Sequence, residues 1–195
     1  NFTSGGTGTG LLAMAMLVAV LGSTSWLAVF LALMLVGAGL FCVWLEIGRP
    51  WRFINVLFNA RTSWMSREAF AAMPLLGFGG LAWLTGSVGL GVVAALSGLV
   101  FLYCQARILQ AAKGIPAWRQ PEIVPLMIGT GLTEGLGILA VLSLIAGGAM
   151  FAGALPLVLL ALVLLRFGLW SRYRAGFAAN GAPTGALDTF DAMKT

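Results

Sequence analysis

The sequence has no histidine, only two cysteines, and charge on 9% of its 195 residues. Each shortage excludes a class of chemistry. Without histidine, the usual axial ligands for a haem held between transmembrane helices are missing, so no haem is expected. Cys42 and Cys104 lack the close, repeated spacing of a zinc or iron–sulfur site, so no metal ligand is expected and a disulfide has no support. So few charges also rule out a soluble domain of this length, because 60% of the residues are apolar and could not all be hidden from water.

What is present is apolar sequence in long runs. A helix needs roughly 20 apolar residues to cross a hydrocarbon core about 30 Å thick. Six such runs occur, at about 8 to 22, 25 to 46, 68 to 86, 88 to 112, 122 to 147 and 152 to 171. The expected fold is therefore all-α, a polytopic transmembrane helical bundle forming one domain over residues 1–195. The first residue is Asn1 rather than Met, and the chain stops abruptly at Thr195. Truncation at both ends is the expectation.

The turns after the first, third and fifth runs, around Ser23 to Ser25, Thr85 to Gly89 and Gly147 to Gly153, carry no Lys or Arg. All eleven basic residues fall on the other side: Arg49, Arg52, Arg61 and Arg67, then Arg107, Lys113 and Arg119, and finally Arg166, Arg172, Arg174 and Lys194. The positive-inside rule makes that side, with the amino terminus, cytoplasmic. The net charge of +5 and pI near 10 are thus topology signals. Membrane lipid is the expected environment, and no nucleic-acid partner is expected. The glycines at Gly77 to Gly80 and Gly129 to Gly137 read as close helix packing rather than ligand contacts.

Three places carry chemistry. Glu134 lies deep in the apolar run GTGLTEGLGILAVL, where a carboxylate is costly and marks a proton path or polar ligand unless it only hydrogen-bonds a neighbouring helix. The segment LEIGRPWRFINVLFNARTSWMSREAF puts Glu46 at the end of one run and Glu68 at the start of the next. The two carboxylates are expected to come near each other beside Arg49, Arg52 and Arg67. Pro50 should stop the second helix, and Ser66 should cap the third. In YCQARILQAAKGIPAWRQPE, Tyr103, Gln105 and Arg107 approach the same surface. Donors to two carbonyls, an apolar slot and carboxylates that move protons are what quinone chemistry requires, although interfacial anchoring explains the same residues.

GRP, an aromatic-rich stretch and SW-x-SRE together resemble the anchor subunits of the dimethyl sulfoxide reductase type, within the broader DmsC/NrfD polysulfide-reductase-like family. YCQARILQAAKGIPAWR looks most like members associated with phenylacetyl-CoA:acceptor oxidoreductase, and NFTSGGTGTGL is similar to the family's Gly-rich opening. The family usually has eight helices, against six here. The resemblance implies a haem-free subunit of the bacterial inner membrane, holding ubiquinone or menaquinone beside a four-cluster iron–sulfur protein and a molybdopterin catalytic subunit. Iron–sulfur clusters and molybdopterin would belong to those partners alone. On this reading Glu46, Glu68 and Glu134 would be proton-handling groups. Asn1, Arg49, Trp64, Arg67, Tyr103, Gln105 and Arg107 would be quinone-binding residues. Where one branch has a histidine implicated in quinol binding, this chain has Glu46. The expected function is electron transfer between the iron–sulfur partner and quinone, in phenylacetyl-CoA oxidation. The alternative is a small transporter or proton channel coupled through Glu134.

Overall fold

A computed structural model describes residues 2–46, 50–59, 61–112, 114–146 and 155–179, without side-chain detail for 50–53, 116 and 177–179. Six helices long and apolar enough to cross a membrane run in the order α1 (Phe2–Val20), α2 (Trp26–Glu46), α3 (Trp64–Thr85), α4 (Val88–Ala111), α5 (Ile123–Ile145) and α6 (Leu155–Ala179). A 3₁₀ segment at Pro50–Asn59 follows α2, and a shorter one at Pro116–Arg119 precedes α5. No strand occurs among the described residues. The chain is an all-α, multi-pass membrane bundle, as its composition requires.

α1 is the central element, packed against α2, α4 and α5, and two-thirds of its apolar span is buried. Its sequence is a poor helix former, since each Gly costs about 1 kcal/mol relative to Ala. Packing compensates, because the small residues let backbones approach where lipid offers no hydrophobic drive between helices. Gly5 faces Gln105 and Phe101 of α4, while Gly8 faces Ala32 and Leu35 of α2. Gly6 and Gly10 meet Gly131 and Gly135 of α5, forming a glycine seam. A Cβ on Gly10 or Gly135 would overlap the partner backbone, and one on Gly131 would stand 2.8 Å from the Gly6 carbonyl oxygen. This seam explains why α1 begins at Phe2 rather than near residue 8.

Other glycines behave differently. Gly79 packs on Leu33, but nothing lies within 4 Å of a Cβ added at Gly77, Gly80 or Gly137. Close packing therefore accounts for part of each glycine-rich run only. Large apolar side chains such as Phe41, Leu84, Leu96 and Leu164 are exposed around the bundle, as lipid-facing surfaces must be.

α2 ends at Glu46 and the 3₁₀ turn opens at Pro50, consistent with proline ending a helix. α3 starts one turn earlier than expected. Its amino-terminal cap is Ser63, whose side chain makes no cap hydrogen bond, and Ser66 is buried within the first turn. α6 packs on α5, and only 6% of its span is buried. Near its basic end, Tyr173 is buried against Ile123 and Leu126, and its hydroxyl donates 3.0 Å to the Ala117 carbonyl. That anchorage carries α6 past residue 171.

Candidate functional site

Glu134, half-buried on α5, and Arg166, exposed on α6, come together where α1, α5 and α6 meet. Glu134 is the twelfth residue of α5, about 16 Å along the helix. α6 brings Arg166 against the same helix, where its Nε donates 3.1 Å to Thr130 Oγ1, one turn before Glu134. Both side chains line a cavity of about 580 Å³ with Phe2, Thr3, Gly6, Phe167 and Trp170. No ion pair joins Glu134 and Arg166 among the described residues. Along α5 a shallower trough of about 410 Å³ continues past Glu134, lined otherwise by Thr7, Gly137, Ile138, Val141 and Leu142.

Thr7 Oγ1 lies 2.6 Å from Glu134 Oε2 and 2.8 Å from the Thr3 carbonyl oxygen. A hydroxyl has one hydrogen and two acceptor lone pairs. It can donate to an ionised Glu134, or donate to Thr3 while accepting from a protonated Glu134. The arrangement satisfies the acid in both states. The bond to a neighbouring helix is therefore real, yet the carboxyl group also reaches the cavity wall.

A second cluster forms between the start of α3 and the end of α4, on the other side of α4. Trp64 sits edge-on to Tyr103, ring centroids 5.9 Å apart. The guanidinium carbons of Arg67 and Arg107 lie 4.3 and 4.9 Å from the Trp64 ring centroid, within cation–π range. Arg67 Nη2 donates to the Arg61 carbonyl and Arg107 Nη1 to Gln110 Oε1, each at 2.8 Å. Glu68 is buried one turn beyond Trp64 on α3.

The structure therefore gathers Trp64, Arg67, Tyr103 and Arg107 into one cluster beside Glu68. Gln105 turns away, fully buried with its amide against Gly5. Glu46 is exposed at the last turn of α2, and neither it nor Glu68 lines the cavity. Asn1 and Arg49 lie outside the described residues. Among those residues, no group of three or more His, Cys, Asp or Glu side chains could hold a metal ion.

Arg166, read from the sequence only as a topology signal, is the site residue that reading missed. It stands within α6 after the unbroken run LPLVLLALVLL, and the argument that singled out Glu134 applies equally to it. Thr7 and Thr130 carry no such signal, because hydroxyls within helices usually bond back to their own backbone.

Six helices long and apolar enough to cross a membrane define a multi-pass membrane protein. The sequence model of the DMSO reductase anchor subunit (DmsC) family matches residues 24–167. The chain belongs to that family, and is thus a non-catalytic membrane anchor of a molybdopterin oxidoreductase complex, with catalytic and iron–sulfur partner subunits. No curated protein and no solved structure matches it.

Proposed function

We propose that this anchor exchanges electrons between its iron–sulfur partner and membrane quinone, with the quinone ring held in the cavity between α1, α5 and α6. The observation that carries this reading is the placement of Glu134 and Arg166. A carboxylate and a guanidinium share one largely apolar wall without pairing to each other. Unpaired charges at this depth are costly, and a polar ligand between them offsets that cost.

The residues fit such a ring. The volume falls within the roughly 300–1,000 Å³ of small-molecule sites, with aromatic and aliphatic lining around a few polar groups. A bound quinone supplies reversible two-electron, two-proton chemistry. Arg166 keeps four N–H donors beyond the one given to Thr130, and orients a carbonyl oxygen. Glu134 gives or takes a proton at Oε, with Thr7 partnering both forms. Phe2, Phe167 and Trp170 keep water from the ring, and the apolar trough along α5 accommodates a hydrocarbon tail.

The cavity opens beside the first turns of α1 and α5 and the last half of α6. Those ends lie on the basic face, taken as cytoplasmic, where the iron–sulfur partner docks. This moves the headgroup from the Glu46 and Glu68 surface to the Glu134 side of the bundle. Oxidation of a CoA thioester, specifically phenylacetyl-CoA, remains the proposed reaction of the catalytic partner, and it rests on the sequence motifs.

Quinone turnover by the assembled complex tests the site. Glu134→Gln should lower kcat about 100-fold, the usual scale of lost proton transfer, and Arg166→Gln should chiefly raise KM. Glu68→Gln should leave both nearly unchanged. Full turnover in the Glu134 and Arg166 variants, with loss in Glu68→Gln, would return the headgroup to the α3–α4 surface.

A further inference from the structure

We infer that the cluster of Trp64, Arg67, Tyr103 and Arg107 binds the phosphate of an anionic phospholipid. Two guanidinium groups share one indole at the membrane-interface ends of α3 and α4. The amino terminus of α3 adds its positive dipole end, and Ser63 contributes no side-chain cap there. Arg107 Nε is buried without a hydrogen-bond partner, while Nη1 is engaged by Gln110. Glu68, buried on α3 next to Arg67, is the acid of that turn; one carboxylate leaves two arginines and a helix terminus in positive excess.

The surroundings select a lipid over a free anion. From Tyr103, Val100 and Leu96 continue along α4 at helical spacing, 55% and 59% exposed, and Met65 and Phe70 are exposed on α3. This apolar strip lies where acyl chains run when a headgroup sits at the helix ends. Arg suits phosphate because its planar fork donates two parallel hydrogen bonds, and basic pockets between helices on the cytoplasmic side hold anionic headgroups.

The complex in zwitterionic nanodiscs, titrated with phosphatidylglycerol and read by native mass spectrometry, tests the site. Arg107→Gln should weaken phosphatidylglycerol binding on the order of tenfold, as expected for lost hydrogen bonds to a charged group. Arg119→Gln, on an exposed residue outside the cluster, should not weaken it. Arg107→Lys keeps the charge but loses the fork and the stacking on Trp64, and should weaken binding roughly threefold to tenfold, which covers the case in which the Gln variant fails to fold; unchanged binding in the Lys variant would overturn the bidentate contact. Unchanged binding in Arg107→Gln would overturn the inference. Displacement of the lipid by millimolar inorganic phosphate would overturn its lipid source. Crosslinking of Arg107 to an acidic side chain of a partner subunit would replace the lipid with a protein contact.

Discussion

Replacing Gly10 by alanine adds one methyl group where α1 and α5 touch backbone to backbone. The new Cβ would overlap the Gly131 carbonyl, and no flexible side chain stands there to yield. Either the helices separate along the seam or α1 rotates away from α4. Overpacking costs about 1–3 kcal/mol, and a clash against rigid backbone belongs at the upper end. Gly137→Ala is the matched control, on the same helix as Gly131 but with nothing within 4 Å of the added Cβ. Its effect should lie between zero and about 1 kcal/mol of stabilisation from helix propensity. Reversible unfolding in mixed micelles, followed by circular dichroism, should separate the two variants by about 3 kcal/mol, or roughly 100-fold in the folding equilibrium. A difference below about 0.5 kcal/mol would refute the seam as a source of stability.

Thr7→Val removes the hydroxyl shared by Glu134 and Thr3, and should cost about 0.6 kcal/mol, the average for an interhelical hydrogen bond in a membrane, in the same assay. A loss above about 3 kcal/mol would mean that packing rather than the bond had been altered. For topology, alkaline phosphatase fused after Ser23 should be active and the same reporter fused after Gly114 inactive, because the first turn is uncharged and the second is flanked by Lys113 and Arg119. The reverse pattern would invert the bundle.

The six helices were legible because apolar run length is a direct consequence of bilayer thickness. Their ends were harder to read where packing overrides propensity. The Gly-rich start of α1 falls outside the apolar run until Gly6 and Gly10 are set against Gly131 and Gly135, and those residues are more than 120 positions apart in the chain. Glu134 was visible as a lone carboxylate in apolar sequence. Arg166 was equally visible in principle, but sorting basic residues by side of the membrane concealed that it lies inside a span. Gln105 illustrates the opposite limit: it neighbours Tyr103 in sequence, yet a step of two residues on a helix turns its side chain to a different face, here toward α1.

The seam between α1 and α5 also works as a ruler. Most helix pairs are spaced by side chains, which can change rotamer and let a contact drift by an ångström. Here the spacing is set by carbonyl and amide groups with no adjustable atoms between them. Thr7 and Glu134 sit within this stretch, between the Gly6, Gly10, Gly131 and Gly135 contacts, so their 2.6 Å separation is held by the backbone itself. The opposite wall, α6, has almost none of its span buried. Any change of cavity width would therefore come from α6, while Thr7 and Glu134 keep their register.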